Sequence, residues 1–141
     1  MSLQRKIAVG VGYFLHVLIG GLMIFAGAGK IFGFAPPEVV QKMSEFGLGD
    51  KMLLIGWGEL IAAVLLLVPV TSSLGILLTS GFWGGVICIH MAHGLDYTFP
   101  SVLLALSWVG AFLRDPATYH SFCANCPSCA VSKSPQVHQL A

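Results

Sequence analysis

Met52–Val68 reads MLLIGWGELIAAVLLLV, an almost unbroken apolar run closed by Pro69 and carrying one carboxylate, Glu59, near its middle. An α-helix needs about 17 to 25 apolar residues to cross the hydrocarbon core of a bilayer, so the run is long enough to span. A charge at that depth costs roughly 2.5 to 3.5 kcal/mol on insertion scales, so other parts of the chain must surround Glu59. Gly56, Ala62 and Ala63 lie three or four residues away on the same helix. The Glu59 face is therefore the small-residue face, where membrane helices approach one another, and it belongs inside a bundle.

Outward from this run, the chain has 141 residues, 56% of them hydrophobic and 9% charged. Its mean hydropathy is +0.85, the signature of a polytopic membrane protein. The formal net charge of +1 gives no basis for nucleic-acid binding. The length allows one membrane domain over residues 1–115, followed by a polar tail over 116–141.

Ile7 to about Ala28 forms a first apolar run, with Gly12, His16 and Gly20 four residues apart on a packable face. Arg5 and Lys6 before it, and Ala26-Gly27-Ala28 at its end, also fit a secretory leader, although the run is longer than such a segment needs. Lys30–Lys51 is the most polar connection. Pro37 opens a helix there, and Val39, Val40, Met43 and Phe46 recur at helical spacing, which predicts an amphipathic helix ended at Gly47–Gly49. Leu74–His93 and Phe99–Leu113 are the third and fourth spans, the former containing Gly81 and Gly85 as a G-x-x-x-G pair. The pattern predicts an all-α antiparallel four-helix bundle with a short amphipathic helix in the first loop. Four spans place Arg5, Lys6, Arg114 and Lys133 on one side, so both termini are expected in the cytoplasm of a bacterial inner membrane.

Several motifs now resemble one family. They are Ala28-Gly29-Lys30-Ile31-Phe32, Phe46-Gly47-Leu48, Gly58-Glu59-Leu60 leading into Leu65-Leu66-Leu67-Val68-Pro69, and His90 at the end of the third span. Over residues 7 to 115 the chain resembles the DoxX-like family of small four-span membrane proteins. The resemblance implies a four-helix bundle and association with membrane redox chemistry, as a partner of quinone or of an oxidoreductase.

Three constellations carry the candidate chemistry. The first is intramembrane: His16 and Glu59, with Tyr13 nearby, both counted near mid-depth and expected to pair. Such a pair would serve as a polar clasp or as a proton relay for quinone chemistry. The second is Lys30, His90 and His93 with Asp96, a candidate quinone-headgroup or metal site at the outer edge. Cys88 beside it reads as a small buried hydrophobe. The third is His120-x-x-Cys123-x-x-Cys126-x-x-Cys129. It suits zinc, copper or an iron–sulfur cluster, or a Cys126–Cys129 dithiol that cycles with its disulfide. Three function classes follow: a quinone-linked redox component, an accessory subunit docked on other membrane subunits, and a soft-metal or thiol-handling protein. Lipid is the expected surrounding in each. Trp57, Trp83 and Trp108 read as packing or lipid-facing residues.

Overall fold

The first apolar run continues in both directions into a 30-residue helix, α1, Leu3–Phe32. Gln4, Arg5 and Lys6 are good helix formers and carry it toward the N-terminus. At its other end Gly33, with φ +77°, donates its N–H to Gly29 O and turns the chain away. At 1.5 Å per residue α1 is about 45 Å long, more than the hydrocarbon core of a bilayer. The computed structural model describes residues 3–114, and those residues are all-α.

After α1 come α2 (Pro37–Glu45), a short 3-10 turn (Gly49–Lys51), α3 (Met52–Leu67), α4 (Ser72–Ala92) and α5 (Thr98–Arg114). α2 starts on a proline pair, as expected, and none of its residues is buried. It stops through two backbone bonds, Gly47 N–H to Ser44 O at 3.0 Å and Leu48 N–H to Met43 O at 2.8 Å. This pair of hydrogen bonds requires a left-handed residue between them, which is Gly47 at φ +69°. Gly94, at φ +65°, ends α4 by the same device, with Leu95 N–H on His90 O at 2.9 Å. The exit from α3 is set by Pro69, and Thr71 Oγ1 donates back to Leu65 O at 3.1 Å.

α1 packs against α3 and α5, and α4 packs against the same two helices. Their shared core is small: Ile19 and Met23 of α1, Ala62, Ala63 and Leu66 of α3, Ile76 and Trp83 of α4, Leu103 and Ala111 of α5. Large apolar side chains, among them Phe14, Phe25, Leu54, Leu77, Phe99 and Phe112, are exposed on the outside of the helices. An exposed apolar surface of this extent suits lipid and not water. α1 and α4 are long and apolar enough to cross a membrane, whereas α3 and α5 have 16 and 17 residues.

Glycine contacts set the helix spacing, but not through the expected G-x-x-x-G pair. A Cβ added at Gly81 or Gly85 meets nothing within 4 Å, so neither glycine is needed for a close helix approach. The close approaches lie elsewhere. A Cβ on Gly27 would stand 2.9 Å from Gly56 O, and one on Gly56 would stand 3.0 Å from Gly27 O. At Gly75 a Cβ would lie 2.3 Å from the backbone nitrogen of Leu66. Backbone cannot yield as a side-chain tip can. Gly75→Ala is therefore expected to destabilise the fold by at least about 1 to 3 kcal/mol. Gly81→Ala, with open space around it, should leave stability unchanged or slightly raised. Thermal unfolding of both variants in detergent, followed by circular dichroism, measures the contrast.

Candidate functional site

The reciprocal contact of Gly27 with Gly56 decides what happens to the two charges beside it. It brings the α1 and α3 backbones together, with Lys30 one turn beyond Gly27 and Glu59 one turn beyond Gly56. Lys30 Nζ then reaches Glu59 Oε2 at 2.6 Å. The Lys30 side chain is 8% exposed and that of Glu59 is 2% exposed. Lys30 also donates to Ala26 O at 3.4 Å, which satisfies a carbonyl on its own helix. Glu59 thus sits inside the helix packing, as its small-residue face predicts, and its partner is Lys30.

The expected His16–Glu59 pair does not form. Glu59 lies level with Gly27, and eleven residues of helix separate Gly27 from His16, about 16 Å along the axis. The sequence count placed both residues at mid-depth because it ended α1 at Ala28 and gave both helices similar lengths. In the longer α1, His16 belongs to the other half of the molecule. It is 2% exposed and rests on Gly110, where a Cβ would come within 2.6 Å of the imidazole. Arg114 Nη1 donates to His16 Nδ1 at 2.5 Å, and His16 Nε2 lies 3.1 Å from Ser107 O. A guanidinium only donates and a carbonyl only accepts, so the ring is the neutral Nε2–H tautomer. Arg114 also donates to Leu66 O and lies 4.3 Å over the Tyr13 ring. Tyr13 is thus near His16, as expected, but its role is to cover the arginine.

Of the outer-edge constellation, Lys30 departs while His90 stays with Asp96. Lys30 turns inward to Glu59. His90 donates through Nδ1 to Asp96 O at 2.7 Å, and His93 donates to Ile89 O at 2.9 Å while stacking on Phe46 at 4.4 Å. The Asp96 carboxylate serves the start of α5, accepting from the Thr98 hydroxyl at 2.6 Å and from the Thr98 N–H at 2.9 Å. Those two bonds, the hydroxyl one first, hold its carboxyl below the usual aspartate range. Cys88 is exposed, contrary to the buried reading, because it lies on the outward side of α4. Among the described residues no group of three or more His, Cys, Asp or Glu side chains could hold a metal ion. His120, Cys123, Cys126 and Cys129 lie outside the described residues.

Beside the ion pair the helices line a partly open cavity of about 450 Å³. Lys30 and Glu59 form its polar part. Leu22 and Ala26 of α1, Val39 and Met43 of α2, and Phe82, Trp83 and Val86 of α4 supply apolar wall, and Gly81 and Gly85 leave room in it. The two glycines thus enlarge the cavity instead of tightening a helix contact. An apolar cavity of this size with a few convergent polar groups is the usual form of a small-molecule site. Trp83 packs into the shared core, as its reading from the sequence has it, and its ring also contributes to the cavity wall.

Removing one member of a buried pair leaves an unpaired charge, at a cost of about 3 to 5 kcal/mol. Lys30→Met alone is therefore expected to destabilise the protein by that amount. Lys30→Met combined with Glu59→Leu should recover most of the loss. Unfolding of the single and double variants in the same micelle checks both.

Residues 14–110 match the DoxX-like family. Comparison with curated proteins and with solved structures gives no match. The match covers most of the chain and includes the Gly27–Gly56 contact, Lys30, Glu59 and the whole of α4. The chain belongs to the DoxX-like family.

Proposed function

We propose that this chain is the membrane component of a redox system and that it holds a quinone-type molecule in the cavity beside Lys30 and Glu59. The observation that carries the reading is a buried ion pair lining an otherwise apolar cavity. Such walls favour the ring and tail of an isoprenoid quinone, while the pair offers charge to a polar headgroup in a dry setting. The lysine ammonium has three hydrogens; Glu59 and Ala26 engage two of them, which leaves one to donate. In this reading electron transfer belongs to a partner oxidoreductase subunit, and the chain binds and presents the quinone to it. Glu59 and Lys30 are the functional pair. His16 is a structural link between α1, α5 and Arg114.

In the same reading α1, α3, α4 and α5 cross a bacterial inner membrane together as an antiparallel bundle. Arg5, Lys6 and Arg114 mark the cytoplasmic side, and the cavity opens nearer the other face. The closed circuit of helix contacts and the apolar exterior support this arrangement. α3 and α5 are short spans, which a bilayer accommodates by local thinning at modest cost.

Photolabelling in nanodiscs with an azido-quinone tests the site. Adducts are expected on the α4 segment from Phe82 to Ile89 and on α2, and unlabelled quinone should suppress them. Glu59→Gln, which weakens the hold on Lys30, is expected to reduce the labelling affinity about tenfold, the scale of one charge-assisted hydrogen bond. Adducts confined to outward residues such as Phe14 and Phe25, insensitive to competitor, would remove quinone binding from this cavity.

A further inference from the structure

A second cavity, partly open and of about 300 Å³, lies at the other end of the bundle against Tyr13, His16 and Arg114. That is the lower end of the usual range for small-molecule sites, about 300 to 1,000 Å³. Its charge is one-sided. Arg114 is in its wall, and among the described residues no Asp or Glu lines it. Among those residues the ion pairs are Lys30–Glu59 and Lys51–Asp50, and Arg114 has no carboxylate partner.

A guanidinium has five N–H hydrogens. The two on Nη1 are committed, one to His16 Nδ1 and one to Leu66 O. The three on Nε and Nη2 have no acceptor among the described residues. The buried side-chain nitrogen and oxygen atoms without a partner there are Thr79 Oγ1 and Trp83 Nε1, so the Nε–Nη2 edge of Arg114 keeps accessible surface. The guanidinium carbon stands 4.3 Å over the Tyr13 ring, and Tyr13 lines the same cavity. Stacking covers a face of the guanidinium and leaves the hydrogens at its rim for acceptors.

Ser72 and Ser73, the first residues of α4, form another part of the wall. Thr71 before them makes no cap bond, because its hydroxyl goes to Leu65 O and Val68 O. The first N–H groups of this 21-residue helix thus lack a side-chain acceptor, and its positive end adds to the field of the arginine.

We propose that this cavity binds a phosphate group, held through two oxygens by the Nε–Nη2 edge of Arg114. That edge offers two parallel N–H bonds to a phosphate, and charge-assisted pairs of this form are the strong ones. His16 is a positioning residue: it takes one Nη1 hydrogen and so fixes the plane whose other edge grips the anion. A lipid headgroup and free phosphate carry the same chemistry. The site is separate from the cavity beside Lys30 and Glu59 and stands whether or not that one holds a quinone.

Calorimetric titration of the full chain in dodecyl maltoside tests the site, with dihexanoyl phosphatidylglycerol, inorganic phosphate and phosphate-free dihexanoylglycerol as probes. Both phosphate carriers are expected to bind saturably at one site per chain, and the glyceride is not. Tighter binding of the phospholipid makes a lipid headgroup the source; equal or tighter binding of inorganic phosphate makes it the free anion. Ser73→Asp puts a carboxylate on the cavity wall, at a helix start where an acidic residue stabilises. It should weaken binding at least about tenfold, the scale of one charge-assisted hydrogen bond, with thermal unfolding unchanged or raised. Arg114→Lys keeps the charge without the two-nitrogen edge and should weaken binding by a similar factor; should it fail to fold, Ser73→Asp decides alone. Binding of neither carrier, or binding that Ser73→Asp leaves unaltered, overturns the proposal. Asp115 follows Arg114 in the sequence, outside the described residues. Binding that appears only in Asp115→Asn overturns it too, because the guanidinium then belongs to the chain's own carboxylate.

Discussion

A lysine and a glutamate buried side by side impose the strictest condition on this fold. Neither side chain tolerates an apolar interior alone, and each is acceptable there only within hydrogen-bond reach of the other. The distance of 2.6 Å depends on two helix backbones meeting at glycine, because any Cβ at position 27 or 56 would separate them. That contact fixes the register of α1 on α3. The register in turn carries His16 away from Glu59 and onto α5, and the cavity forms where α4 does not close over the pair.

The two polar centres differ in kind. At the Arg114 end every polar atom of the imidazole is used: one nitrogen faces the guanidinium and the other faces the Ser107 carbonyl. A fully satisfied network of this type rigidifies and specifies packing. Both ends adjoin open volume, about 300 Å³ beside His16 and Arg114 and about 450 Å³ beside Lys30 and Glu59, but at the Glu59 end the lysine keeps a hydrogen that neither Glu59 nor Ala26 engages. Sites for ligands are built where capacity for bonding exceeds what the protein itself consumes, which at the Arg114 end is true of the guanidinium and not of the imidazole.

Much of this was legible in the residues. Glycine and alanine around Glu59 announced its burial, Pro37 and Gly47 bounded α2, and Pro69 set the α3–α4 turn. The pairing was not legible, for a geometric reason. Depth was counted from apolar run lengths, and the polar residues at both ends of α1 hid eight residues of helix. Lys30 looked like an end-of-span lysine reaching for headgroups, whereas Gly27 and Gly56 let it turn inward. The Gly81–Gly85 spacing misled in the opposite sense, since a small-residue motif marks room for close approach without saying whether anything fills it. That one edge of Arg114 keeps its hydrogens is a property of three-dimensional packing alone.

Arg114 ends α5 and is held from three sides: by the Tyr13 ring, by His16 on α1 and by the last turn of α3 through Leu66 O. The chain continues from that residue into the segment with three cysteines. A helix end left to itself frays first, but this one is anchored to two other helices. Mechanically, a load at residue 114 is shared with α1 and α3 before it can unwind α5, so this end of the helix behaves as a rivet instead of a hinge.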